Sequence, residues 1–264
     1  MTYQTVLLDV ADRVATLTLN RPAKLNALSP QLFDEATAAI DDALTQGVRA
    51  LVLTGAGKAF CSGADLTDDN AGLLAGGEAR DLGESLDRYY NPLSRKIAAL
   101  DIPVVTAING PAVGAGLGFA LLGDVTVMAR SAYLLLAFVN IGLVPDAGAT
   151  WLVAKAAGRT KALEMALLGE RVGAEDALAA GLVTRVADDG EALLQAQAIA
   201  AKLASGPTVA IGLIRKQVAA ALNLDFDATL DLERANQRKA GRTADFSEGV
   251  RSFVEKRPTR FEGR

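Results

Sequence analysis

Hydrophobic and polar positions near the start of the chain alternate in the pattern of a β-hairpin. The alternation runs over residues 6–20 and is interrupted at residues 11–13, which predicts two antiparallel strands joined by a tight turn. Ser29 and Pro30 then predict a helix start, because a hydroxyl side chain caps the first turn and proline fits the first helical position. Apolar residues at helical spacing continue towards Gly47, where the helix is expected to end.

Continuous apolar runs of strand length predict strands that are buried on both faces. The clearest runs are residues 50–54 and 103–108. Shorter runs of the same kind occupy residues 124–128, 133–136 and 183–186. Beyond about residue 146 the pattern is mainly helical, and everything from residue 206 onward is helical and amphipathic. Because strands recur after helices or turns, the pattern predicts an α/β or α+β class with a helical C-terminal portion.

Residues 67–84 contain several glycines and acidic residues without a clear period. We interpret them as a mobile loop near a pocket, and a plain surface loop is the alternative. Both interpretations predict no helix or strand in this segment.

Composition is that of an ordinary folded protein. Half of the 264 residues are hydrophobic and 22% are charged. No apolar run reaches the roughly 18–20 residues that a membrane span requires, and the N-terminus lacks the basic start and apolar stretch of a signal peptide. A single cysteine, Cys61, excludes an internal disulfide framework, so a reduced cytoplasmic location is expected. A net charge of −4 argues against a general nucleic-acid-binding surface.

The chain contains no histidine, and this narrows the chemistry that it can perform. A Ser-His-Asp triad, a Cys-His pair and histidine-based zinc or iron sites are excluded. One cysteine cannot form a thiolate metal site, so no metal site is expected. Proton transfer must therefore use Asp, Glu, Lys, Tyr, Cys or the substrate itself.

Two loops of small residues are candidates for binding a ligand oxygen. Residues 62–64 follow one predicted strand, and residues 114–116 follow another. Main-chain N–H groups from two such loops can together form an oxyanion hole, with help from a helix dipole. The alternative is that both are tight turns that allow close packing. A dinucleotide-binding G-x-G-x-x-G motif is excluded, because Phe119 stands at the third glycine position.

Several motifs, taken in order, resemble the enoyl-CoA hydratase/isomerase (crotonase) family. They occupy residues 20–28, 59–66, 108–118, 141–148, 179–183 and 253–257. The resemblance implies an α/β fold of the ClpP/crotonase type, with ββα units wound into a spiral over residues 1–205. It also implies a helical region over residues 206–264 that is used for trimerisation, and hence a homotrimer or hexamer. Each motif alone is weak, and their ordered combination carries the resemblance.

The resemblance also implies a substrate and a set of site residues. Family members bind acyl-CoA thioesters, so coenzyme A enters as part of the substrate and no separate cofactor is expected. Two backbone N–H groups hold the thioester oxygen in the family, and they correspond here to Ala64 and Ala115. Neighbouring residues are expected to line the substrate and CoA channel, namely Ala23, Lys24, Gly63, Asp65, Leu66, Gly114 and Phe138.

Departures from the family pattern change the expected reaction. Hydratases of the family use two glutamates to hold and activate water, and the corresponding positions are Gly118 and Phe138. Glycine cannot orient water through a side chain, and phenylalanine makes that wall apolar. Efficient hydration by a glutamate pair is therefore not expected.

Asp146 follows Pro145 at a predicted helix start, where the family pattern usually has glycine. Its local sequence is compatible with a helix-capping role. The resemblance instead points to the isomerase branch, in which one acid moves a proton along the acyl chain. Burial would raise the pKa of this carboxyl above the usual aspartate value of about 3.9 and make it a stronger base.

A narrower set of segments resembles the ring-epoxide isomerases of phenylacetate degradation, which act on 1,2-epoxyphenylacetyl-CoA and have relatives that shift double bonds in enoyl-CoAs. The segments are residues 88–93, 145–152, 231–234 and 240–250. The alternative is that they are helix and trimer residues shared across a branch, which leaves ring and linear substrates open. The leading hypothesis is an acyl-CoA isomerase that uses Asp146. The others are a hydratase without the glutamate pair and a non-catalytic acyl-CoA-binding protein.

Overall fold

Nine strands in the described part of the chain form two sheets. The computed structural model describes residues 3–66 and 81–264. The strands are β1 Val6–Ala11, β2 Val14–Leu19, β3 Ala50–Gly55, β4 Val104–Ile108, β5 Ala112–Val113, β6 Val125–Ala129, β7 Tyr133–Leu135, β8 Arg171–Gly173 and β9 Arg185–Ala187. The larger sheet has the order β1-β2-β3-β4-β6-β9, and the smaller one has the order β5-β7-β8. The larger sheet is parallel from β2 onward, since only its β1–β2 pair is antiparallel.

Successive strands between β4 and β7 alternate between the two sheets. β4 and β6 pair in the larger sheet, whereas β5 and β7 pair in the smaller one. An isolated bridge pairs Cys61, in the loop after β3, with Ala112 of β5. The segment that follows β3 therefore also reaches the smaller sheet. Each pair of strands thus contributes one strand to each sheet. The predicted α/β class is confirmed, and its strands are arranged in ββ units.

Ten α-helices in the described residues pack around these sheets. They are α1 Pro30–Thr45, α2 Leu82–Ser85, α3 Asn91–Ala99, α4 Ala115–Ala120, α5 Ala149–Leu168, α6 Ala174–Ala179, α7 Ala192–Ala204, α8 Thr208–Ala221, α9 Phe226–Ala240 and α10 Ala244–Glu255. The Ser29 hydroxyl accepts the Leu32 N–H at 3.3 Å, and Pro30 occupies the first helical position. The predicted start of α1 is therefore confirmed.

The larger sheet is covered by α1 at β1 and β2 and by α7 from β2 to β9. α7 crosses β3, β4 and β6 with four buried alanines spaced four residues apart. They are Ala192, Ala196, Ala200 and Ala204. Because residues four apart lie on one face of a helix, this stripe of methyl groups lets the α7 backbone approach the sheet closely. The rigid core that results holds the carboxyl ends of the parallel strands in place.

The predicted loop at residues 67–84 is wrong at its end. The Asp81 carboxylate accepts the Gly83 N–H at 2.8 Å and caps α2, which begins at Leu82. Residues 67–80 of that prediction lie outside the described residues. The prediction that everything from residue 206 is helical is also wrong at its end. α10 ends where Lys256 adopts φ +52°, and Pro258 follows within two residues.

Helices α8, α9 and α10 together account for most of the C-terminal segment. The predicted boundary between residues 205 and 206 falls between α7 and α8 and stays a prediction. In the part of the chain that the structure covers, we find no single helix that is both long and apolar enough to span a membrane. α7 and α8 reach that length and hydrophobicity only together, and they are bent by 113° at the break between them.

Candidate active site

The loops that follow β3 and β4 lie directly against each other. The Asn109 side chain accepts the Gly55 N–H at 3.1 Å and donates to the Gly57 carbonyl at 3.0 Å. A Cβ atom on Gly110 would lie 2.2 Å from the Lys58 carbonyl oxygen, so only glycine allows this approach. Because neighbouring parallel strands end at the same edge of the sheet, the two small-residue loops meet there.

The peptides of Ala64 and Ala115 lie on these two adjoining loops. A Cβ atom on Gly63, where φ is +88°, would lie 3.0 Å from the Val113 carbonyl and 3.7 Å from the Ala115 nitrogen. Gly114, with φ +55°, turns the chain into α4, whose first residue is Ala115. Among the hydrogen bonds that join described residues, neither the Ala64 nor the Ala115 N–H donates to a main-chain carbonyl. Each loop therefore keeps one N–H group without a main-chain acceptor among the described residues, and Ala64, but not Ala115, lines the cavity that contains Asp146.

A cavity of about 570 Å³ opens beside Ala64. Its wall is formed by Arg21, Leu28, Ser29, Pro30, Gln31, Phe33, Ala64, Asp65, Leu66, Leu82, Ser85, Leu86, Arg88, Tyr89, Tyr90, Leu143 and Asp146. A second cavity of about 470 Å³ shares Leu82, Leu86, Leu143 and Asp146 with the first. Asp146 therefore lies where the two cavities meet, in a wall that is mostly apolar and aromatic.

The Asp146 carboxyl is buried without a full set of partners. Its Oδ1 atom is inaccessible to solvent and has no hydrogen-bond partner among the described residues. Desolvation by this burial raises the pKa of the carboxyl from 3.8 to about 6, and hydrogen bonding to its own main chain opposes that rise. The N-cap of α5 is Gly148, with no side-chain cap bond. The helix-capping interpretation of Asp146 is therefore wrong.

The two positions that correspond to the hydratase glutamates, Gly118 and Phe138, carry no carboxylate. At Gly118 the surrounding main chain also leaves no space for a side chain. A Cβ atom on Gly118 would lie 2.7 Å from the Ala147 carbonyl oxygen and 3.1 Å from the Ala147 Cβ. Phe138 is buried, with its Cζ atom 3.8 Å from the position of a Cβ on Gly114. Phe138 and Gly114 thus pack behind the Ala115 loop and are not among the residues that line either cavity near Asp146.

A cluster of charged side chains adjoins Ala64 in the chain and in space. The buried Asp65 carboxylate accepts a hydrogen bond from Arg21 Nη2 at 2.8 Å, and Lys24 Nζ lies 3.9 Å from its second oxygen. Ala23 and Lys24 belong to the exposed 3-10 turn Pro22–Lys24 and do not line the cavity. The structure therefore brings Ala64, Asp65, Leu66 and Asp146 to one cavity, with Lys24 joined to it through Asp65.

Sequence reasoning gave no role to Tyr90, which faces the same cavity. Its ring packs against Phe33 with a centroid separation of 4.5 Å. Burial raises the pKa of the Tyr90 phenol, with further contributions from Asp146 and Cys61. The phenol therefore remains a neutral O–H near Asp146. Tyr90 ends a π-helical turn, Leu86–Tyr90, and such turns are frequent at functional sites. Residues 88–93 stood out as a motif, but a π-turn has no sequence signature.

Replacing Asp146 is expected to stabilise the fold at alkaline pH. Because the folded-state pKa is about 6 and the reference value is 3.8, the ionised carboxylate destabilises the folded state above pH 6, and this effect fades as pH falls through 6 towards 4. Asp146→Asn is expected to raise the midpoint of thermal unfolding at about pH 8 by roughly 2–4 °C, the change expected for about 1 kcal/mol. Asp34→Asn, at an exposed position of α1, is the control. An equal gain at about pH 4 would contradict the explanation.

Proteins that are similar to this chain in sequence or structure are named enoyl-CoA hydratases or isomerases. Residues 9–264 match the family model described as enoyl-CoA hydratase/isomerase. The chain is 45% identical to 1,2-epoxyphenylacetyl-CoA isomerase of Escherichia coli (strain K12), over 98% of each chain. It is 42% identical to a probable enoyl-CoA hydratase of Rhodobacter capsulatus over the whole of both chains. A crystal structure of a putative enoyl-CoA hydratase from Streptomyces coelicolor A3(2) superposes with a TM-score of 0.91 at 31% identity, covering 100% of this chain and 96% of that one. The crotonase fold is thereby confirmed, and the chain belongs to the enoyl-CoA hydratase/isomerase family.

Proposed function

We propose that this chain is an acyl-CoA isomerase in which Asp146 moves a proton along the acyl group. The main-chain N–H groups of Ala64 and Ala115 hold the thioester oxygen. The observation that carries the proposal is the position of the Asp146 carboxyl, which lies in the cavity wall with its Oδ1 atom buried and without a hydrogen-bond partner among the described residues. A buried carboxyl oxygen without a hydrogen-bond partner costs stability, and such groups are concentrated at functional sites.

The proposed reaction needs one acid–base group and one oxyanion site. With a 3-enoyl-CoA, Asp146 removes a proton from C2, and the electron pair of that C–H bond shifts towards the thioester oxygen. The two N–H groups stabilise the negative charge that develops there. The same carboxylic acid then returns the proton at C4, and the double bond moves from C3 to C2. No water enters the balance, which fits a site without a glutamate pair.

The structure near Gly118 supports isomerisation over hydration. Hydratases of the family need a carboxylate at this position, and here the main chain of Ala147 occupies the space in which a side chain would begin. Phe138, at the second position, packs against Gly114 and adds only an apolar ring. A hydratase without the glutamate pair would require another group to activate water, and the neutral Tyr90 phenol is a poor base.

The acyl group that we propose is a ring epoxide, as in 1,2-epoxyphenylacetyl-CoA, or a linear 3-enoyl chain. The similarity to the Escherichia coli isomerase supports the first, since that protein is named for this substrate. The aromatic wall of Phe33, Tyr89 and Tyr90 provides flat surfaces against which a ring can pack. Coenzyme A is part of the substrate, with Ala23, Lys24, Asp65 and Leu66 proposed to border its channel.

We also propose that the enzyme works as a homotrimer or hexamer in the cytoplasm. The C-terminal helices carry large apolar side chains that the single chain leaves exposed, such as Phe226 at 75% and Phe253 at 86%. Exposed apolar residues of this size are typical of surfaces that another subunit covers. Equilibrium sedimentation of the purified chain would overturn this part of the proposal if it gave a monomer mass at micromolar concentration.

The rate of isomerisation is expected to fall below about pH 6. Proton removal requires the ionised Asp146 carboxylate, and burial raises the pKa of that group to about 6. In the free enzyme, kcat/KM should therefore rise roughly tenfold per pH unit up to that value and then level off. The measurement is kcat/KM for a 3-enoyl-CoA between about pH 4.5 and pH 8. A kcat/KM that stays nearly constant down to about pH 4.5, as an ordinary aspartate pKa of about 3.9 would give, would contradict the assignment.

The experiment that tests the proposed function offers the purified enzyme three substrates in parallel. They are a 3-enoyl-CoA, a 2-enoyl-CoA and 1,2-epoxyphenylacetyl-CoA. We expect the double bond of the 3-enoyl-CoA to move, the ring epoxide to rearrange, or both, with little 3-hydroxyacyl-CoA formed from the 2-enoyl-CoA. Rapid hydration of the 2-enoyl-CoA would support the hydratase alternative. Tight binding of all three without turnover would support a non-catalytic acyl-CoA-binding protein.

A further inference from the structure

α4 lies against the turn that carries Asp146 at a glycine. This residue, Gly118, is in the interior of α4 and is buried. A Cβ atom built on it would lie 2.7 Å from the Ala147 oxygen, 3.1 Å from the Ala147 Cβ and 3.3 Å from the Ala147 carbonyl carbon. Distances below 3 Å to main-chain atoms cannot be relieved by rotating a side chain. Any residue other than glycine at position 118 therefore requires α4 and the Ala147 turn to move apart.

The turn itself has an unusual backbone. Ala147 adopts φ +50° and Gly148 adopts φ +79°, so a residue with a side chain occupies the left-handed region at the position that contacts α4. Ala147 is buried, and the neighbouring Ala149 N–H donates to the Asp146 carbonyl at 2.8 Å. A strained conformation of this kind persists when the surrounding structure holds it. The contact with Gly118 is one such constraint.

We propose that Gly118 is a positioning residue for Asp146. With no side chain at position 118, the Ala147 peptide occupies the vacant space, and the adjacent Asp146 is directed into the cavity wall. This proposal rests on the proposed function only for its consequence in catalysis. The absence of a carboxylate at position 118 and the placement of Asp146 are then linked through the contact between Gly118 and Ala147.

The arrangement has a consequence for conversion between the two activities. In the present backbone, a glutamate at position 118 would place its Cβ 2.7 Å from the Ala147 carbonyl oxygen, so α4 and the Ala147 turn would have to move apart. Introducing the carboxylate alone is therefore expected to displace the neighbouring Asp146 as well.

The test compares Gly118→Ala with a matched control and a compensating change. Gly173→Ala is the control, since a Cβ on Gly173 would have no heavy atom within 4 Å and its φ of −70° suits any residue. Ala147→Gly removes the second contact and allows the turn to adopt other backbone conformations. Two readouts are needed: kcat and KM for the isomerase substrate, and the titration of the Asp146 carboxyl followed by carbon-13 NMR, with Asp146→Asn used to assign the signal.

We expect Gly118→Ala to lower kcat about 10- to 100-fold with a smaller change in KM, because a displacement near 1 Å can cost about 10²-fold. The Asp146 titration should move down towards the value of an exposed aspartate, whereas Gly173→Ala should leave both readouts unchanged. Combining Gly118→Ala with Ala147→Gly should recover at least part of the rate and return the titration towards that of the wild type. If Gly118→Ala does not fold, the double variant is expected to fold and to show the restored titration.

The proposal is overturned if Gly118→Ala keeps the wild-type rate and titration, or if Ala147→Gly gives no recovery of rate, titration or folding. The titration separates this proposal from the proposed function. A shifted Asp146 titration in a protein that isomerises no acyl-CoA would leave the positioning role intact and remove the isomerase. An unshifted titration in an active isomerase would do the reverse.

Discussion

Asp146→Asn is expected to reduce isomerisation of a 3-enoyl-CoA by about 10³-fold, within the range of about 10²–10⁴ found for general acid–base groups. Asparagine has nearly the same shape and fills the same place in the cavity wall, but it cannot accept the C2 proton. The oxyanion site at Ala64 and Ala115 is untouched, so acyl-CoA binding should persist. The measurements are kcat for double-bond migration and the dissociation constant of a saturated acyl-CoA, both at about pH 8, where the carboxyl is ionised.

Two further variants test whether the loss of activity is specific to the Asp146 carboxylate. Asp146→Glu keeps a carboxylate at a longer reach and should recover part of the activity that asparagine loses. Asp34→Asn changes an exposed aspartate on α1 and should have no effect. Full activity of Asp146→Asn would contradict the proposed mechanism. Fast hydration by both wild type and Asp146→Asn would favour the hydratase alternative, in which this carboxyl has no role.

The central strands could be predicted from sequence because their apolar runs are continuous. β3 and β4 are buried along their whole length, so their hydrophobic signal is strong and local. β5 and β8 were not predicted, because two or three residues give no period to detect. The same reason explains α2, whose four residues follow a segment of glycines and acids. Long elements that are buried throughout can therefore be predicted from their own sequence, whereas short elements depend on tertiary contacts with their neighbours.

The candidate site could likewise be predicted from the sequence only in part. The two loops with Ala64 and Ala115 could be proposed from small residues that follow predicted strands, since their positions along the chain fix where they meet. The contact between Gly118 and Ala147 could not, because it brings α4 against a turn almost thirty residues later in the chain, so closely that a Cβ on Gly118 would lie 2.7 Å from the Ala147 oxygen. The burial that raises the pKa of Asp146 likewise depends on the fold, since the cavity that Asp146 lines is built from segments distant in sequence, including the one that carries Tyr90.

Removing the Ala115 donor is expected to have the second largest effect on turnover. Ala115 is the first residue of α4, a position where proline is accommodated and where the helix makes no use of the N–H. Ala115→Pro should therefore keep the helix while deleting one of the two hydrogen bonds to the enolate oxygen. Loss of one such donor typically lowers kcat by about 10²–10³-fold. The measurement is kcat for the 3-enoyl-CoA, with circular dichroism to check the fold.

Two controls separate the missing N–H from the substitution itself. Ala115→Gly keeps the main-chain donor and is expected to stay within a few-fold of the wild-type rate. Ala244→Pro places proline at the first position of α10, after the cap residue Thr243 with its extended backbone, and should leave turnover unchanged. Since the enolate oxygen exists only after C2 is deprotonated, the loss in Ala115→Pro should fall on kcat more than on acyl-CoA affinity. A folded Ala115→Pro enzyme with wild-type kcat would show that the thioester oxygen is held elsewhere.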